Sequence, residues 1–175
     1  MKSLQANDFE LFELPQQFAL DRAQLDERWK AMQREAHPDR FAAEGAAAQR
    51  VAMQWSVRIN EAYQRLKDPL RRAAYLCELR GVPVNAESNT AMPPAFLMQQ
   101  MEWREALDEA RDAKDMVGLE RLERELADVR RERLAQISGL FSESKFEEAG
   151  ALVRQLMFLE RFGEDVGRAF DAIEA

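Results

Sequence analysis

An all-α protein built in two units is what the order of residues predicts, on three observations. Apolar residues return at steps of three and four along most of the chain, the spacing of one helix face, and nowhere alternate as in a half-buried strand. Proline and glycine fall at the ends of those periodic stretches and in one span, residues 81–94, which holds three of the six prolines. Charge also shifts along the chain: the first 80 residues carry 13 Lys and Arg against 12 Asp and Glu, and the remaining 95 carry 12 against 20. The economical architecture is a four-helix unit built on an antiparallel helical hairpin over residues 1–80, a linker at 81–94 and a C-terminal bundle of antiparallel helices over 95–175, a three-helix bundle or, with a break in its last helix, four.

The elements follow in order. Residues 8–14 form a short helical turn that starts at Asp8, and Pro15 stops it. Asp21 is the N-cap of a second helix, with Leu25, Met32 and Ala36 on one face and Trp29 beside it. That helix ends at His37-Pro38-Asp39, because proline lacks an amide hydrogen and pushes the preceding residue out of the helical region. After a loop anchored by Phe41, a third helix carries one continuous stripe: Ala48, Val51, Ala52, Trp55, Ile59, Ala62, Tyr63 and Leu66. Asp68-Pro69 closes it, and a fourth helix runs from Leu70 to Arg80 with Gly81 as its C-terminal cap. Beyond the linker, helices are expected over about 95–111, 116–138 and 143–174, the last with a break near Gly163.

The totals exclude several classes. The chain has 175 residues, a net charge of -7 and a pI near 5, which argues against a nucleic-acid backbone as the main ligand. Cys77 is the single cysteine, so there is no disulfide framework and no cysteine metal cage, and its helical spacing makes it a small core residue. No apolar run has the length of a signal peptide or a membrane span, which reads as a soluble cytoplasmic protein. A glycine-rich phosphate loop, a nucleophile elbow and the His-Glu-x-x-His spacing are all missing from the sequence, so no enzyme, resident metal or cofactor is expected.

Two places invite a partner. His37, the only histidine, stands with Asp39 on a proline-stiffened helix break, preceded by Arg28, Lys30 and Arg34. Taken alone, the histidine reads as a solvated loop residue and the basic patch as a solvated helix face; together, on the stiffened turn, they read as a surface that steers a partner. The second place is the helix after the linker. At about 100° per residue, Phe96, Trp103, Leu107 and Ala110 share the core side. Leu97, Met98, Met101, Glu102, Glu105 and Glu109 fall within an arc of about 140° on the other. An apolar patch rimmed by carboxylates suits protein binding, and methionine supplies adaptable contact area. Phe158 lies nearly opposite the Phe146, Ala149, Val153, Leu156 stripe and is expected to complete the patch. Packing of these residues against the N-terminal unit is the alternative.

A short Phe-Leu helix, a helix ending in His-Pro-Asp, Arg40-Phe41 and a long returning helix together resemble a J domain, the module that stimulates the ATPase of DnaK-type heat-shock chaperones. The stretches 68–76, 96–105 and 154–159 narrow the likeness to the HscB-type co-chaperones of iron-sulfur cluster assembly, over nearly the full length. The resemblance implies an L-shaped molecule with two partners: a DnaK/HscA-type chaperone and an iron-sulfur scaffold protein of the IscU type. It implies that His37, Pro38 and Asp39 trigger ATP hydrolysis in the chaperone: Asp39 engages an arginine of the ATPase, Pro38 holds the turn and His37 fixes its geometry. Arg28, Lys30, Arg34 and Arg40 are then expected to face the negative surface of the chaperone. Leu97, Met98, Met101, Glu102, Glu105, Glu109 and Phe158 are expected to bind the scaffold, which itself carries the cluster. Position 36 is Ala where the family usually has Tyr, and position 40 is Arg where Lys is common.

Overall fold

The computed structural model describes residues 3–84 and 91–175; the middle of the expected linker, 85–90, lies outside them. The described residues form α1 (Asp8–Leu11), α2 (Arg22–Ala36), a 3-10 stretch (Pro38–Glu44), α3 (Ala46–Lys67), α4 (Pro69–Leu79), α5 (Pro94–Asp112), α6 (Met116–Ser142) and α7 (Phe146–Glu174), with no strand among them. Contacts divide the chain into two compact units after Leu76, inside α4.

In the first unit, the Asn7 side chain caps α1 by accepting from the Glu10 amide at 2.9 Å. The helix stops at Leu11, well before Pro15, because Glu13 takes a left-handed φ of 54° and the Leu14 amide turns back to the Phe9 carbonyl at 2.9 Å. Phe9, Leu11 and Phe12 are buried, which gives this short turn its anchor. Asp8 is also fully buried, and a buried carboxylate needs compensating charge. Arg58 and Arg65 of α3 supply it at 2.9 and 3.3 Å, while the Asp8 amide donates to the Tyr75 hydroxyl of α4 at 3.0 Å.

Asp21 caps α2 as its sequence suggests, accepting from the Gln24 amide at 3.2 Å. Along one face α2 meets α3 through polar and aromatic groups: Trp29 stacks on Tyr63 with centroids 4.3 Å apart. The Trp29 indole and the Gln33 amide both donate to Asn60 Oδ1, at 3.0 and 2.6 Å. The Tyr63 hydroxyl donates to Asp26 at 2.8 Å, and hydrogen bonds from Arg22 and Tyr63 hold the Asp26 carboxyl below its usual range. Leu25, Ala52, Ile59, Ala62 and Leu66 form the apolar seam. The expected inner stripes are only partly covered, however. Met32, Ala36 and Trp55 are half-buried and Val51 is 52% exposed. Asp68 opens α4 by accepting from the Leu70 amide at 2.9 Å, and the buried Arg72 donates to the carbonyls of Phe18 and Leu66 at 2.8 and 2.6 Å.

The second unit is an antiparallel three-helix bundle whose turns are short enough to leave no other choice of neighbour. Lys114 and Ser144 stand in the left-handed region, φ 52° and 59°, and let each chain reversal close through a bond from the next residue, Asp115 to Ala110 and Lys145 to Leu140, both 2.8 Å. Asp115 then caps α6 by accepting from the Gly118 amide at 3.0 Å. The break expected near Gly163 does not occur: α7 is continuous from Phe146 to Glu174. An interior glycine costs a helix about 1 kcal/mol, and the buried Leu159, Phe162 and Val166 on both sides of it outweigh that. α6 likewise extends to Ser142, past the expected 138, and α7 starts at Phe146 instead of 143. Cys77 is buried in this unit, and burial pushes its thiol up to about 11. Gly81, at φ 77°, ends the preceding helix, and the Val82 amide returns to the Cys77 carbonyl at 2.9 Å.

Candidate functional site

The tip begins where α2 must end. His37 has extended backbone, φ -60° and ψ 128°, as a residue before proline should. Its Nδ1 accepts from the Asp39 amide at 3.2 Å, so the neutral ring carries its proton on Nε2. Nδ1 and the Asp39 carboxylate are 3.6 Å apart, too far for a direct hydrogen bond. That carboxylate is 92% exposed and points an acceptor-only group at solvent. The turn is closed by the Arg40 amide donating to the His37 carbonyl at 3.0 Å. The Arg40 guanidinium reaches back to the Arg34 carbonyl, in the last turn of α2, at 3.1 Å. Arg40 therefore caps a helix end as well as carrying charge beside the tripeptide.

The basic approach to the tip is smaller than expected. Arg28 spends its guanidinium on two backbone carbonyls behind α1, Phe12 at 2.6 Å and Glu13. It belongs to the fold, because those carbonyls follow the α1 helix end and have no helical partner. Lys30 and Arg34 remain exposed and stand on one stripe of α2 with Glu27 and Ala23, ending beside His37.

The second surface lies on α5. Phe96, Trp103, Leu107 and Ala110 are buried, and Leu97, Met98 and Met101 are 45%, 64% and 70% exposed with Glu102, Glu105 and Glu109 around them. Singly exposed apolar residues are ordinary; three on one face within about two turns are a patch. Phe158 is half-buried, packed edge-on to Phe96 at 5.8 Å and stacked on Phe162 at 6.0 Å. It belongs to an aromatic cluster with Trp103 that fixes α5 against α7, and only its outer side is available to the patch. Periodicity could not show this, because the cluster depends on where α5 crosses α7. No cluster of metal-ligating side chains and no helix long and apolar enough to cross a membrane occurs among the described residues.

Residues 92–167 match the family model described as the HSCB C-terminal oligomerisation domain. A "Co-chaperone protein HscB homolog" of Burkholderia thailandensis is 55% identical over 174 residues, covering 99% of both chains. The chain belongs to the HscB co-chaperone family. The HscB homolog of Paraburkholderia xenovorans is 51% identical over the same share. Among solved structures, the chaperone HscB from Vibrio cholerae superposes with a TM-score of 0.83 at 37% identity, over 96% of this chain and 99% of that one. Human co-chaperone protein HscB gives 0.89 at 26% identity, over 95% and 83%. The HscB fold pairs an N-terminal J domain with a C-terminal helical bundle. Here α2, the tripeptide and α3 make the J-domain hairpin, and α5, α6 and α7 the bundle.

Proposed function

We propose that this HscB co-chaperone acts in the cytoplasm as an adaptor between two partners in iron-sulfur cluster assembly. The J domain stimulates the ATPase of a DnaK/HscA-type chaperone, and the bundle presents the IscU-type scaffold as its client. The observation that carries the reading is the tripeptide: an exposed Asp39 carboxylate held on a turn that its own neighbours lock, at the helix break where J domains place it. Locking matters because a contact that triggers another protein's active site is made without first ordering a loop. Lys30 and Arg34 lead to the tip and supply charge to steer the encounter. On the second unit, Leu97, Met98 and Met101 provide apolar area and the three glutamates a charged rim, the division of labour of a protein interface. The cluster is cargo on the scaffold, and the chemistry of hydrolysis belongs to the chaperone, so this chain needs no catalytic residue of its own.

The test is the ATPase rate of the cognate chaperone, measured with this protein and with and without scaffold. His37→Gln keeps the fold and removes stimulation, since glutamine cannot present a ring nitrogen to the Asp39 amide; stimulation equal to the unmodified protein would refute the J-domain role. Binding of the scaffold is read separately by titration. A bundle that serves another client shows no scaffold affinity at all, and one that serves as a dimer interface shows a doubled mass in sedimentation.

A further inference from the structure

Beside the tip, on the side of α2 away from Lys30 and Arg34, the J domain carries an apolar groove of about 650 Å³ that neither proposed partner contact uses. Its floor is the part of the α2 and α3 stripes that fails to close. Met32 and Ala36 on one wall face Ala48, Val51 and Trp55 on the other, and Phe41 shuts the end next to the tripeptide. Helical spacing places Val51 on the inner stripe, yet it stays 52% exposed, because the alanines at 31, 36 and 48 around it are too short to cover it. The groove runs along α2 from Arg28 to Ala36, about 12 Å at the helical rise, or roughly two turns. Its rim is acidic. Glu13, Glu35 and Glu44 line it, and neither Glu35 nor Glu44 has an ion-pair partner among the described residues. The one cation in the lining, Arg28, is already held by the Phe12 and Glu13 carbonyls.

We infer that this groove docks a helical protein segment that presents apolar side chains at i, i+3 or i+4 and i+7 with Lys or Arg on its flanks. Two turns of apolar floor match the footprint of a helix in a groove. The Glu35 and Glu44 carboxylates at the rim select basic flanks and repel anionic membranes and nucleic acid alike. The site is distinct from the Lys30 and Arg34 stripe, whose charge is opposite, and its occupancy does not depend on any chaperone.

The probe is a fluorescein-labelled amphipathic peptide of about 15 residues made of Leu and Lys, near the shortest length at which an isolated helix is stable. The Met101 face is also apolar and acidic, so anisotropy titrations use the full chain carrying Leu97→Ala and Met101→Ala, which removes that competitor. The peptide should bind this protein saturably. Ala36→Tyr, which fills the groove with an aromatic side chain, should weaken binding about tenfold or more, as loss of an anchor pocket does. Glu35→Lys with Glu44→Lys, two surface changes that leave packing alone, should do the same. Residues 31–36 and 48–55 should gain hydrogen-exchange protection on binding. Absence of saturable binding, or an affinity unmoved by both the filled groove and the reversed rim, overturns the proposal.

Discussion

Arg28 and Arg34 stand on the same helix, and their surroundings give them opposite roles. Removing Arg28 leaves the Phe12 and Glu13 carbonyls without their donor, so Arg28→Ala should lower unfolding free energy by about 1–3 kcal/mol in denaturant titration. Arg34→Ala should leave stability within about 0.5 kcal/mol, as exposed sites do, and weaken chaperone affinity most at low salt. A stability loss for Arg34→Ala equal to that for Arg28→Ala would contradict this division. The single cysteine is silent for a different reason. Burial raises the Cys77 thiol to about 11, so the native state holds a proton that the unfolded state releases near its ordinary value. That contribution to stability is complete below the unfolded value and is lost as pH rises toward about 11. Cys77 should therefore resist alkylation at pH 8 in the native protein and react at once in denaturant; fast native labelling would show that the thiol is open.

At the scale of elements, ends and periods were readable because they are local. Asp21 capping α2, Asp68-Pro69 closing α3, Gly81 ending α4 and the Phe96-Trp103-Leu107-Ala110 stripe all depend on residues within one or two turns. Gly163 was misleading for the same reason: a local cost of about 1 kcal/mol suggests a break, and burial of the adjacent Phe162 and Val166 against other helices cancels it. The cost itself remains in the native state. A β-carbon built at Gly163 meets nothing within 4 Å, so Gly163→Ala should stabilise the bundle by about 0.5–1 kcal/mol, read as a higher unfolding midpoint. A lower midpoint would mean that the position is closer to a neighbour than the helix geometry allows.

On the scale of the whole molecule, charge is sorted along the chain, net +1 over the first 80 residues and -8 over the remaining 95. If the α5 face binds the scaffold through an apolar centre and a carboxylate rim, the two parts should separate experimentally. Leu97→Ala with Met101→Ala should weaken scaffold binding by about a hundredfold through dissociation, as loss of two central contacts does. Glu102, Glu105 and Glu109 changed to Gln should mainly slow association and flatten its salt dependence. Phe158 is a poorer probe, because Phe158→Ala also removes a ring from the cluster that holds α5 against α7. Unchanged scaffold affinity in the Leu97 and Met101 variant would remove the patch from the adaptor.

The sequence by itself determined the all-α class, the helix order, the broken helix that displays His37-Pro38-Asp39 and the exposed methionine face of α5. Each follows from spacing, capping and proline stereochemistry, which act over a few residues. Only the tertiary structure decided that Arg28 serves the α1 turn, that Phe158 is half spent on an aromatic cluster, and that Val51 lines an open groove instead of a core. Those outcomes depend on which faces of distant helices meet and on whether the side chains between them fill the gap, and no local pattern encodes that volume.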